Sequence, residues 1–81
     1  MMNVDEMITL ANNVSYGLLL KASLDEDNYF LAVQLDSNEE PTDKYEVLKE
    51  VNDQGEISVL IERDPLILNE LLKQYQEQAD L

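Results

Sequence analysis

Two segments, KYEVLKEV (residues 44–51) and EISVLIE (residues 56–62), alternate apolar and polar residues, with Asn52-Asp53-Gln54-Gly55 between them. Period two is the signature of a strand, whose successive side chains point to opposite faces. Two such runs joined by a short loop ending in glycine predict a β-hairpin, with Gly55 supplying the positive φ that closes the turn. Tyr45, Val47 and Val51 fall on one face and Glu46, Leu48 and Glu50 on the other, and Ile57, Val59 and Ile61 are assigned inward.

The period then changes. In DPLILNELLKQYQEQADL, Asp64 suits an N-cap and Pro65 the first helical position, where a missing N–H costs nothing. At about 100° per residue, Ile67, Leu68, Leu71, Leu72, Tyr75 and Ala79 share one arc. Leu66 falls outside that arc and is expected to pack against the preceding loop. An amphipathic helix closing over one face of a sheet follows.

Upstream, Tyr16, Leu18, Leu20, Ala22 and Leu24 alternate with Ser15, Gly17, Leu19, Lys21 and Ser23. The turn Asp25-Glu26-Asp27-Asn28 leads into a second alternating run over residues 29–36, and SNEEPTD (residues 37–43) reads as a surface loop broken at Pro41. Residues 4–14 carry two patterns. Met7, Leu10, Ala11 and Val14 fit helical spacing, with Asn3 and Glu6 as a capping box, whereas Ile8-Thr9-Leu10 equally opens a sheet with Asn12-Asn13 as its turn. The expected architecture is α+β, a single domain over residues 1–81. It has an antiparallel meander of four or five strands, the C-terminal amphipathic helix on one face, and an N-terminal strand or short helix.

Composition removes most chemistry. There is no His and no Cys, which removes thiol nucleophiles, Ser-His triads, disulfides and the usual zinc sites. Eighteen acids against five bases give a formal charge of −13. Direct nucleic-acid binding is disfavoured, because that affinity rests on basic residues neutralising phosphates, and anionic membranes are disfavoured on the same ground. The opening MMNVDEM has no basic leader pattern, so a soluble, cytoplasmic protein is expected.

The order of segments resembles a bacterial family of small, strongly acidic proteins catalogued only as a domain of unknown function. The resemblance is carried by Ile8-Thr9-Leu10, by Asn28-Tyr29-Phe30-Leu31-Ala32-Val33 after an acidic turn, by Tyr45-Glu46-Val47-Leu48, and by the Leu- and Glu-rich C-terminal helix. Where members have an acidic first turn with a glycine, this chain has Asn12-Asn13-Val14. The resemblance implies a small α+β fold and brings no catalytic residues.

Carboxylates are the plentiful reactive groups. Setting Gly55 at the sixth place of a calcium loop puts Ile61, not Glu62, at the twelfth, where the bidentate glutamate belongs. Asp25-Glu26-Asp27 is then a solvated acidic turn. A paired-carboxylate hydrolase needs a pocket that so small a domain has little room for, and two glycines build no phosphate-binding loop. No catalytic residue, metal or cofactor is expected, and a non-enzymatic interaction module is the favoured function.

Two surfaces are candidates for a protein partner. Asp25, Glu26, Asp27, Asp36, Glu39, Glu40 and Asp43 lie in a stretch without a base, from Ala22 through Asp43. Carboxylates on alternate strand positions recur about every 6.7 Å, comparable to phosphate spacing, so this face would suit the basic groove of a nucleic-acid-handling protein. The bland alternative is solubility. The second candidate is apolar: Leu19, Phe30, Leu48 and Leu60 sit at outward strand positions and would form a homodimer or partner interface. The same four residues equally suit a second small core under the N-terminal segment.

Overall fold

A computed structural model describes residues 3–79. It is the expected α+β arrangement: five strands, β1 (Met7–Thr9), β2 (Ser15–Leu24), β3 (Asp27–Leu35), β4 (Pro41–Asp53) and β5 (Glu56–Ile61), followed by α1 (Pro65–Ala79). The strands form one antiparallel sheet in sequence order, a meander. The N-terminal alternatives resolve to strand, with Ile8 opposite Tyr16. Asn3 and Glu6 form a turn, the Glu6 N–H donating to the Asn3 carbonyl at 3.2 Å, rather than a helix cap.

The four turns alternate in type. At one end of the sheet, β1–β2 and β3–β4 close through three-residue loops whose last residue, Asn13 or Glu39, is left-handed at φ 64° and 63°. At the other end, β2–β3 and β4–β5 close through two residues, Asp25-Glu26 (φ 52° and 72°) and Gln54-Gly55 (φ 54° and 89°). Two positive φ values suit the right-handed twist of a hairpin. Both two-residue turns are tighter than the four-residue loops expected from sequence. β4 likewise begins at Pro41, so Thr42 and Asp43 belong to a strand.

Both faces of the sheet are buried: β3 and β4 supply residues to each by alternation, and β2 does so because Leu19 is an extra residue, Leu18 pairing with Ala32 and Leu20 with Leu31. A one-residue bulge inverts the facing of everything beyond it. Tyr16 and Leu18 therefore point to the helix-free face, where they join Phe30, Ala32 and Leu48 in one buried cluster. Ile8, Leu10 and Val14 from one side and Val59 and Ile61 from the other pack against this cluster, so the curled sheet seals it. Beyond the bulge, Ala22 joins Tyr29, Val47, Leu71 and Tyr75 beneath α1, flanked by Leu20, Leu24, Leu31, Ile67 and Leu68.

The apolar interface expected from sequence is thus corrected at two positions. Phe30 and Leu48 are each 0 % exposed and belong to the interior. Leu19 and Leu60 are exposed, the one at the bulge and the other on the helix side, so the four make no common patch. The hairpin register supplies the second reason. Asp53 pairs with Glu56 and Leu48 with Ile61, and any even-numbered loop sets odd positions opposite even ones. Val47 and Val51 accordingly share a face with Leu60 and Ser58, while Ile57, Val59 and Ile61 share Leu48's face. Leu66 is exposed rather than packed on the loop, and the side chain of Ala79 lies outside the described residues.

α1 begins as its sequence requires: the Asp64 carboxylate accepts from the Leu66 N–H at 2.9 Å. It lies principally against β2. Gln78 and Gln74 donate to the Lys21 and Ser23 carbonyls, at 2.6 and 3.0 Å. Four residues of helix rise about 6.0 Å and two of strand about 6.7 Å, so glutamines one helical turn apart match alternate strand carbonyls.

Candidate functional site

The acidic face expected from sequence is not one face. Asp25, Glu26 and Asp27 lie at the β2–β3 turn, and Asp36, Glu39, Glu40 and Asp43 at and after the β3–β4 turn. Those turns are at opposite ends of β3, whose 9 residues hold them about 30 Å apart. The groups are also engaged differently. The Asp36 carboxylate accepts from the N–H groups of Asn38 and Glu40, at 2.8 and 3.0 Å, as a loop-closing device. Asp27 pairs with Lys49 at 3.4 Å, and the Lys49 ammonium is held above its ordinary pKa by the negative charges of the Tyr29 phenolate and the Asp27 carboxylate.

Turn pairing gathers a different acidic set. The β2–β3 and β4–β5 turns share an end, where Glu26, Asp27, Asn28, Glu50, Asn52 and Ile57 line a depression of about 320 Å³. Glu50, 8 % exposed, accepts a long 3.5 Å hydrogen bond from the Asn28 amide. Sequence reasoning missed this pairing because Asn28 and Glu50 meet only through the β3–β4 register. Among the described residues, no three His, Cys, Asp or Glu side chains converge to hold a metal ion.

The helix side carries an apolar groove. Leu31 and Val47 form its floor, Leu68 and Leu72 one wall, and Tyr45, Glu62 and Arg63 the rim, around a volume of about 350 Å³. Tyr45, Leu72 and the neighbouring Leu66 are exposed. The groove exists because β4 runs on where β5 has ended: β5 pairs only with Leu48 through Asp53, and the chain leaves the sheet at Glu62.

The sheet's edges differ more than its faces. β1 is only 3 residues long. The free half of β2 is capped by Gln74 and Gln78. The free half of β4 carries Pro41, Lys44 and a break in register between Val33 and Leu35 of β3. Short length, cover, proline, lysine and bulges are the means by which proteins block edge pairing. Among the described residues β5 has none of these five, and its one charged residue is Glu56, at its first position. Its sequence is EISVLI, its pairing with β4 is regular, and Ile57 and Leu60 are 44 % and 58 % exposed. Sequence reasoning identified the strand; which strand ended as an edge depended on the order of the whole sheet.

Among the described residues, fold and edges define a small α+β protein with one open strand. Comparison with protein-family models, with curated proteins and with solved structures gives no match. The family resemblance therefore rests on the motifs quoted above. Among the described residues no helix is long and apolar enough to cross a membrane.

Proposed function

We propose that this chain is a non-enzymatic, acidic protein-interaction module acting in the cytoplasm, and that β5 is where its partner docks by adding a strand. The observation that carries this reading is the unblocked β5 edge beside three blocked ones. Strand addition takes affinity from main-chain hydrogen bonds and selectivity from alternate side chains, and needs neither a pocket nor a reactive group. The groove beside Tyr45 offers the partner a second, apolar contact. Inhibition by nucleic-acid mimicry, the other reading of the charge, loses support from the division of the seven carboxylates between two ends.

The test compares tagged wild-type protein with Ile57→Lys in pull-downs from source-cell lysate at 50 and 500 mM salt. Ile57 is half-exposed, so the substitution blocks the edge with little cost to folding. A partner held by wild type at both salts and lost with Ile57→Lys supports docking at β5. A basic nucleic-acid-binding protein recovered only at low salt, equally by both proteins and displaced by DNA, supports mimicry instead.

A further inference from the structure

From the charge and phase of β5 we infer that its partner is an extended segment of the pattern basic–apolar–x–apolar–x–apolar–basic. The inference rests on the strand-addition reading above and adds the chemistry of the partner to it. The phase of β5 is fixed by one hydrogen bond, from the Glu62 N–H to the Val47 carbonyl at 2.8 Å. Backbone groups alternate in direction along an antiparallel strand. Those of Glu62, Leu60, Ser58 and Glu56 thus turn inward to β4, and those of Ile57, Val59 and Ile61 turn outward. Among the described residues no other segment hydrogen-bonds to these three. They present alternating donors and acceptors to the next strand.

The same phase orders the side chains. Ile57, Val59 and Ile61 project to the helix-free face, where Val59 and Ile61 already pack against the Phe30 and Leu48 cluster. An added strand places three of its residues beside them, and apolar residues there extend that cluster. Its intervening residues meet the other face, whose ends are Glu56 and Glu62. Opposite charges directly across a strand pair stabilise it and like charges destabilise it. Basic residues opposite Glu56 and Glu62 complete the pattern. A second copy of the chain fits less well: antiparallel β5–β5 pairing about Val59 sets Glu56 against Glu62 twice, between molecules each of charge −13.

The pattern reads alike in both directions, so one peptide serves for either strand orientation. Capped, fluorescently labelled peptides KVTVTVK, SVTVTVS and EVTVTVE are titrated against the full chain. NMR of the amides of Ile57, Val59 and Ile61 locates binding. KVTVTVK is expected to bind most tightly, SVTVTVS about two- to thirtyfold more weakly for two lost cross-strand pairs, and EVTVTVE more weakly still. N-methylation of peptide residues 2 to 7, which removes the donors facing β5 in either orientation, is expected to abolish binding, with the Ile57, Val59 and Ile61 amides losing their shifts. Equal binding by the three charge variants overturns the basic-partner inference and leaves strand addition standing. Absence of binding by all three, or no effect of N-methylation, overturns both. Sedimentation of the chain alone at 500 mM salt is expected to show a monomer; a dimer abolished by Ile57→Lys identifies a second copy as the occupant and overturns the inference.

Discussion

The two faces of this sheet are buried by different means. On one side a helix supplies Leu71 and Tyr75, which close over Tyr29, Ala22 and Val47. On the other there is no helix among the described residues, and the curl of the sheet brings β1, its loop and β5 onto Phe30, Ala32 and Leu48, all three fully buried. A curling sheet seals a centre and leaves its last strand at the rim, half-covered. A helix seals a stripe and leaves a groove where the strands outrun it. The proposed docking strand and the groove beside it lie where each kind of cover stops.

Substitutions weigh the two covers against each other. Phe30→Ala is expected to cost most, about 3–5 kcal/mol in urea unfolding, because no helix can shift to refill the space. Leu71→Ala is expected to cost about 2–4 kcal/mol, since α1 can settle toward the sheet. If Leu71→Ala proves the costlier, the helix rather than the curvature is the principal seal.

Tyr75 marks a defect in the helix-covered face: among the described residues its buried hydroxyl has no hydrogen-bond partner. Tyr75→Phe is expected to raise stability by about 1–3 kcal/mol, the penalty for an unpaired buried hydroxyl. Burial also raises the pKa values of Tyr75, Tyr29 and Tyr16 above the ordinary 10.0. The folded state then keeps protons that the unfolded chain releases. This contribution to stability is complete below pH 10 and is lost as pH rises through the folded-state values. Thermal melts between pH 8 and 11.5 are expected to show that decline, shallower in Tyr75→Phe. The smallest effect is expected for Gln78→Ala, about 0.5 kcal/mol for one exposed cap, together with faster hydrogen exchange in the Ala22 to Leu24 stretch than elsewhere in β2.

Much of this architecture was legible from periodicity. The β4–β5 hairpin, the positive φ at Gly55, and α1 beginning after Asp64 are local features, written in neighbouring residues. The assignment of faces was not local. It turned on Leu19, which looks like an ordinary outward leucine and is the extra residue of a bulge, and on a two-residue turn whose parity sets Leu48 beside Ile61. The candidate acidic face failed for a similar reason. Asp25 and Asp36 are close in sequence, but a whole strand runs between them, while Asn28 and Glu50 are distant in sequence and adjacent in the sheet. The open edge at β5 needed the order of all five strands before it had meaning.

The bulge at Leu19 bears on how the molecule comes apart. Because facing inverts within β2, one strand contributes Tyr16 and Leu18 to the cluster on one side and Ala22 to the cluster on the other. β3 and β4 join the same two clusters by alternation, Phe30 and Leu48 on one side and Tyr29 and Val47 on the other, so no strand of the three can leave without loosening both. Two small clusters, each too small to persist alone, are thereby fused into one cooperative unit. The protein is expected to melt in a single transition, and a partner strand seated on β5 would steady α1 on the opposite face through the shared strand.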